Sequence, residues 1–332
     1  SGVDLKAGLK FWAFQPPVYS KIPRVQRNDW PRTAIDRFVL AKLQENSLEP
    51  NALADKYTLL RRVYLDLIGL PPEPGEIVAL IHDDSPDAYE KVVDRLLASP
   101  HFGERWGRHW LDLAQYADSV GIEVIFPNRG AWRYRDYVID AFNDNLPFDQ
   151  FTREQLAGDQ LPGSTRRQLI ASGYNRLNMT TREGGSQPKE YIAIYLGDRV
   201  RNVSGVWMAT TLGCTECHDH KFDPFTSRDF YSLGAFFSDL EETPVGPQKY
   251  TPLPTTAQQA KVDKLKKQIP VLEAVLNTQT PALDDALARW ESAQAGRIAP
   301  EPSAAANGTE PAVCDDKASA DSAAPPKNIT DI

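Results

Sequence analysis

The chain is poor in the residues that build most metal and disulfide sites. Among 332 residues there are only three cysteines, five histidines and two methionines. A structural zinc site needs four Cys or His ligands, and no second CxxC pair and no HxxxH pair is present to supply them. Basic residues do not dominate either, since the formal net charge is −8. This charge argues against a nucleic-acid partner, because phosphate binding requires basic surfaces.

Long apolar runs are also missing. No stretch reaches the length of about 18 residues that a membrane-spanning helix requires, so the sequence predicts no transmembrane segment. The chain starts at Ser1 without an apolar signal core, and any export signal is expected to have been removed. The motifs GxSxG, HExxH, GxGxxG and the P-loop are absent, so no separate catalytic constellation is predicted.

Two of the three cysteines stand in the string Cys214-Thr215-Glu216-Cys217-His218. CxxCH is the attachment motif of c-type haem, in which both cysteines form thioethers with the haem vinyl groups and the histidine is the proximal iron ligand. The sequence therefore predicts one covalent haem c on Cys214 and Cys217, with His218 on the iron. A zinc site and a redox-active dithiol or disulfide pair are the alternatives, although the local pattern is helical and not that of a βαβ unit.

The spacing of apolar residues predicts a mostly α fold. Residues 1–35 are expected to form an extended arm that packs on the core, 36–245 an α-helical haem domain, 246–295 an amphipathic helical pair and 296–332 a disordered tail. A long helix is predicted from Pro188 to Leu212, ending at Gly213 just before the attachment motif.

Longer strings around and before the motif have a further meaning. Gly213 to Pro224 (GCTECHDHKFDP) resembles the planctomycete-type cytochrome c domain family, long catalogued as a domain of unknown function. Matching strings occur in the same order at Phe11–Pro17 (FWAFQPP), Trp30–Arg32, Ile35–Phe38, Leu65–Pro72 (LDLIGLPP), Gly103–Trp106, His109–Ala114, Tyr116–Asp118, Trp132–Val138, Glu154–Asp159, Asn178–Thr180 and Glu183–Gly185.

This resemblance covers about residues 10 to 240. It implies a bound haem and an exported protein, but no particular reaction. Family members often carry a small cytochrome c domain upstream and another uncharacterised domain downstream. Neither occurs within these 332 residues, so the chain is expected to be an excerpt or a reduced member.

The sixth iron ligand is left open by the sequence. Met179 is a candidate because a methionine in a polar loop has little packing reason to be there. His109 is a candidate on a predicted helix face with Leu113 and Tyr116, where a core histidine could bind iron or merely form hydrogen bonds. Met208 is expected to be a core residue. Water, another group or an open position are the remaining alternatives.

Charged residues suggest two further contacts. Arg133 and Arg135, in the run Trp132–Tyr137, are candidates for binding the haem propionates, with Arg199 and Arg201 as alternatives. The glycines at 184 and 185 and a concentration of carboxylates also raise the possibility of a calcium ion beside the haem, against the simpler interpretation of a solvated acidic surface. Its candidate ligands are Asp118, Glu183, Asp219 and Asp223.

Three functions remain open at this point. The first is an exported, periplasmic or equivalent extracytoplasmic, single-haem c-type cytochrome in electron transfer, whose partners are other redox proteins such as c-type cytochromes. Export follows from the haem, because cytochrome c maturation takes place outside the cytoplasmic membrane. The second is a haem enzyme with an open distal site that acts on a small molecule or saccharide. The third is a haem-containing sensor or scaffold.

Overall fold

A computed structural model describes residues 4–120 and 125–295 of the chain. The chain divides into two compact units, one ending at Leu253 and the other beginning at Pro254. The described residues confirm the mostly α fold, with thirteen α-helices and one two-stranded antiparallel sheet. The helices are α1 (Leu5–Gly8), α2 (Ala34–Glu45), α3 (Lys56–Leu67), α4 (Pro74–His82), α5 (Ala88–Leu97), α6 (Pro100–Leu113), α7 (Trp132–Asn143), α8 (Phe148–Ala157), α9 (Arg166–Ala171), α10 (Pro188–Met208), α11 (Ser227–Ala235), α12 (Thr256–Leu276) and α13 (Pro281–Ala295).

Short elements complete the first unit. Strands β1 (Ser119–Val120) and β2 (Phe126–Pro127) pair in register Ser119 with Pro127. Three 3-10 turns span Trp12–Phe14, Ser172–Arg176 and Leu212–Glu216. Within the described part, no helix is long and apolar enough to cross a membrane.

The main core lies where α6, α7, α8 and α10 meet. The Trp110 ring lies 4.8 Å from the ring of Phe151 and 4.9 Å from that of Trp207, measured between centroids. Its indole Nε1 donates to Gln155 Oε1 at 2.9 Å and to Tyr134 Oη at 3.1 Å, so this buried polar group is satisfied. Through Trp207, this aromatic core positions α10, the helix that precedes the attachment motif.

Helices α6 and α7 cross closely because α6 presents glycine at the contact. A Cβ atom built on Gly103 would lie 2.4 Å from the carbonyl oxygen of Ile139, far inside van der Waals contact. The Gly103 backbone N–H also donates to Asn143 Oδ1 at 2.8 Å. The close approach of α7 to α6 therefore depends on the absence of a side chain at Gly103.

The long helix is shorter at its end than the sequence predicted. It ends at Met208 because Ala209 adopts a left-handed conformation with φ of 51°, so Gly213 is not the residue that ends it. The chain then turns back into the separate 3-10 turn at Leu212–Glu216.

The N-terminal segment is less extended than predicted, since it contains α1 and a 3-10 turn before Ala34. It does reach the region after the motif, where the Phe14 ring lies 5.8 Å from the Phe225 ring.

The first unit extends beyond the predicted boundary at residue 245. The carbonyl oxygen of Leu253 accepts hydrogen bonds from Arg133 Nη1 at 2.9 Å and Arg166 Nε at 3.0 Å. These bonds join residues 246–253 to the helical domain, whereas the sequence assigned them to the helical pair.

The second unit consists of α12 and α13 in its described part, and neither helix has a buried residue. The predicted disordered tail, 296–332, and its cysteine, Cys314, lie outside the described residues.

The close crossing of α6 and α7 generates a stability prediction. Gly103→Ala should lower the free energy of unfolding by about 1–3 kcal/mol, because the new methyl group must push α7 away. Gly205→Ala is the matched control, since Gly205 is an exposed position of α10 with nothing within 4 Å of its added Cβ. That change should stabilise the protein by up to about 1 kcal/mol. Equal unfolding midpoints for the two variants in urea would contradict the packing described here.

Candidate haem-attachment site

The 3-10 turn at Leu212–Glu216 separates inward from outward side chains. In a 3-10 turn residues i and i+3 lie on the same side, so Leu212 and Thr215 share one side and Cys214 lies on another. Leu212 is 2% exposed and packs with Val200 and Phe230. Thr215 is fully buried, and its Oγ1 donates to the Leu212 carbonyl at 2.6 Å. Cys214, in the turn, and Cys217, the residue that follows it, are both exposed.

His218 follows with its ring held in one orientation. Nδ1 lies 2.8 Å from the carbonyl oxygen of Asp219. A carbonyl can only accept, so Nδ1 carries the hydrogen and the lone pair lies on Nε2. A backbone carbonyl on the far nitrogen is the usual partner of a metal-binding histidine. The exposed ring therefore presents Nε2 as a donor atom for iron.

His220 has a different role. Its ring is buried, and Nδ1 accepts the backbone N–H groups of Phe222 at 3.2 Å and Asp223 at 2.8 Å. The backbone N–H of His220 donates to the Phe225 carbonyl at 2.9 Å. With Nδ1 used in this way, His220 shapes the loop after the motif.

The attachment motif packs against one face of α10. Arg201 forms an ion pair with Glu216, and its side chain lies against Gly213, 3.3 Å from the position that a Cβ there would occupy. Gly197, one turn earlier on the same face, leaves room for Glu216, whose Oε1 would be 3.1 Å from an added Cβ. Arg201 is thus the arginine that the structure brings to the motif.

The segment that contains Met179 packs against the opposite face of α10. Arg199 Nε donates to the Asn175 carbonyl at 2.9 Å, and its Nη2 pairs with Glu242 at 2.8 Å. Arg199 lies two residues from both Gly197 and Arg201, which is about 200° around a helix. Met179 itself is 64% exposed. The body of α10 therefore separates Met179 from the motif.

Met208 is on the motif face, and the prediction that it is a core residue is wrong. It follows Arg201 by seven residues, which returns to the same side of a helix, and it is 48% exposed. Periodicity alone does not predict this exposure, because the packed face of α10 is known only from the contacts of Arg199 and Arg201.

His109 is also exposed, so the interpretation of it as a core residue is wrong. Its ring contacts that of Trp106, with 5.7 Å between centroids.

Arg133 and Arg135 lie on α7 and take part in other contacts. Arg135 pairs with its neighbour Asp136 at 2.8 Å, and Arg133 donates to the Leu253 carbonyl. None of these partners belongs to the motif, so no contact in the described structure joins either arginine to the haem-attachment residues.

The carboxylates proposed for calcium have separate local partners. Asp118 Oδ1 accepts a hydrogen bond from the Tyr116 hydroxyl at 2.6 Å. Burial raises the pKa of this tyrosine to about 12, so the hydroxyl keeps its proton and remains a donor at neutral pH. Asp219 Oδ1 accepts the N–H of Ser227 at 3.0 Å, at the start of α11. Asp223 lies near the buried ring of His220, and Glu183 is exposed beside Gly185 in a turn. Among the described residues, no group of three His, Cys, Asp or Glu side chains lies together in a way that could hold a metal ion.

Helix α11 supports the other side of the motif. The Tyr231 hydroxyl donates to the Glu216 carbonyl at 3.0 Å. The helix begins with a capping box in which Thr226 and Asp229 exchange hydrogen bonds, and the backbone N–H of Thr226 holds the pKa of Asp229 below its ordinary value. Tyr231, 56% exposed, and Phe222, 76% exposed, add aromatic surface close to the motif.

These donor groups fit haem c better than the alternatives. Two exposed cysteines three residues apart, a histidine with Nε2 free and exposed aromatic rings nearby match a covalently attached planar macrocycle. Zinc would need further ligands, and the described part of the chain brings none to Cys214 and Cys217.

Comparison with known proteins gives one match. The family model PSCyt2, described as a protein of unknown function (DUF1549), matches residues 34–242. No curated protein and no solved structure matches the chain.

Proposed function

The chain belongs to the PSCyt2 family of unknown function, and we propose that it is a single-haem c-type cytochrome that works in electron transfer. The observation that carries this proposal is the arrangement of Cys214, Cys217 and His218, with both thiols and the free Nε2 exposed. A haem bound there would supply one-electron chemistry at its iron.

Each residue of the motif has a task in this proposal. Cys214 and Cys217 would hold the haem through two thioether bonds, each made by redox-neutral addition of a thiol S–H to one vinyl group. His218 supplies Nε2, and the Asp219 carbonyl fixes its tautomer and strengthens it as a ligand. Arg201 places a guanidinium beside Gly213, where it can pair with a propionate.

For the sixth ligand, the fold of α10 favours Met208 over Met179. Met208 is half-exposed on the face that contacts the motif, whereas the Met179 segment is attached to the opposite face through Arg199. His109 is exposed on α6 and its ring partner is Trp106. We infer that Met208 is the thioether that can reach the free side of the iron. Methionine ligation would raise the reduction potential relative to histidine.

Location and partners follow from the same proposal. Haem attachment to CxxCH takes place outside the cytoplasmic membrane, so the protein would be exported to a periplasmic or equivalent compartment. Exposed aromatic side chains near the motif, such as Phe222, offer a contact surface for another redox protein, for example a second c-type cytochrome. The calcium ion suggested by the sequence gains no support from the positions of its four candidate ligands.

The role of His218 can be tested by substitution and rescue. In haem-loaded protein, His218→Ala should abolish the low-spin absorption spectrum, because the proximal nitrogen is lost, and added imidazole should restore it. His101→Ala is the control, since His101 is exposed at the start of α6 and pairs with Glu104. A His218→Ala spectrum identical to that of the wild type would rule out His218 as the proximal ligand.

The sixth ligand gives a second test. Met208→Ala should open the sixth position, so that cyanide or carbon monoxide binds faster and the midpoint potential falls. Met179→Ala and His109→Ala should leave both quantities unchanged. If either of those two variants opens the site while Met208→Ala does not, the assignment of Met208 is wrong and the corresponding sequence candidate is the ligand. An equally open wild-type site would instead favour the haem-enzyme alternative.

A further inference from the structure

A cavity of about 500 Å³ lies in the first unit, away from the attachment motif. Four parts of the described chain line it: Val120, residues 128–134, residues 169–180 and residues 248–253. None of the CxxCH residues is among the described residues that line it. Whatever the cavity binds is therefore not explained by haem attachment.

The charges around this cavity have one sign. Four cationic side chains line it, and no carboxylate does so among the described residues; the four are Arg129, Arg133, Arg176 and Lys249. Arg133 donates to the Leu253 carbonyl, and Arg176 donates to Gln248 Oε1 at 3.4 Å. Both acceptors are neutral, so neither positive charge is cancelled. Such a cluster is unexpected in a chain with a net charge of −8, and it favours an anion.

The start of α7 adds to the positive potential. Gly130, Ala131 and Trp132 line the cavity, and Ala131 supplies no side-chain cap to the helix. The N-terminal end of a helix carries partial positive charge, which stabilises a nearby anion.

Thr180 provides an independent sign of a ligand. It lines the cavity, is only 5% exposed, and its Oγ1 is a buried atom without a hydrogen-bond partner. A buried hydroxyl without a partner is unfavourable, and such groups in proteins are nearly always satisfied. An oxygen of a bound anion would accept a hydrogen bond from it.

Apolar and aromatic groups define the rest of the ligand. Leu169, Ile170 and Leu177 line the cavity, together with the partly exposed rings of Trp132 and Tyr250. We propose that this cavity binds a small organic anion in which a carboxylate or sulfate group is carried on a ring. The oxyanion lies among the arginines and Thr180, and the ring lies against Trp132 or Tyr250. A sugar acid and an aromatic acid share this chemistry.

Calorimetric titration of the full chain tests the proposal. The anionic probes are glucuronate, glucose 6-sulfate and benzoate, and the neutral counterparts are glucose and benzamide. We expect at least one anion to bind at least about tenfold more tightly than its neutral counterpart, and more weakly as salt rises. The probe that binds distinguishes a sugar acid, a sulfate ester and an aromatic acid.

Two variants and a control locate the binding. Arg176→Gln and Thr180→Val should each weaken binding of that anion about tenfold or more, because each removes a hydrogen bond to a charged group. Arg153→Gln removes the same charge from an exposed pair with Asp149 on α8 and should bind as the wild type does. Thr180→Val is nearly isosteric and removes an unpaired hydroxyl, so it should not lower the melting temperature of the free protein.

Three results would overturn the proposal. These are no binding of any anion at millimolar concentration, equal binding of anionic and neutral probes, or wild-type affinity in folded Thr180→Val. If Arg176→Gln does not fold, the Thr180→Val result decides.

Discussion

Close contact between α10 and the turn at Leu212–Glu216 determines how the attachment residues are presented. Gly197 has no side chain where Glu216 approaches α10, and Arg201 lies against Gly213. The inward side of the turn is filled by Leu212 and by Thr215, which is fully buried. With those two side chains turned inward, Cys214 in the turn and Cys217 just after it are exposed. A larger residue at 197 would first meet the ends of the Glu216 and Arg201 side chains, 3.1 Å and 3.3 Å from its Cβ, and would have to displace their ion pair.

Sequence reasoning predicts a chemistry for the site but not its surroundings. The CxxCH spacing is local, so it predicts the attachment residues without knowledge of the fold. The end of α10 was missed because Ala209 is an alanine in a left-handed conformation, for which glycine is the usual signal. Met208 was misjudged for a related reason: periodicity shows that a helix has faces, but only contacts such as that of Arg201 show which face carries the motif.

Sites formed by residues that are far apart in the chain could not be predicted from the sequence. Thr180 and Lys249 line the same cavity although 68 residues separate 180 from 249, and no local pattern links them. The carboxylates show the converse. The sequence places carboxylates such as Asp118, Asp219 and Asp223 close to other candidate site residues. In the structure, Asp118 accepts a hydrogen bond from the Tyr116 hydroxyl and Asp219 accepts one from the Ser227 backbone N–H. A carboxylate that serves as a local hydrogen-bond acceptor resembles a metal ligand until the fold is known.

The fold therefore separates two kinds of chemistry within one unit. Cys214, Cys217 and His218, the candidate attachment residues, are exposed in the segment between α10 and α11, while the basic cavity lies at the start of α7. The most direct test of the central claim is the mass of the full chain after production in cells that attach haem to CxxCH, denaturation and acid-acetone extraction. The proposed function predicts the polypeptide mass plus one haem, with the addition located on the peptide that contains Cys214 and Cys217. A mass equal to that of the bare polypeptide would contradict it.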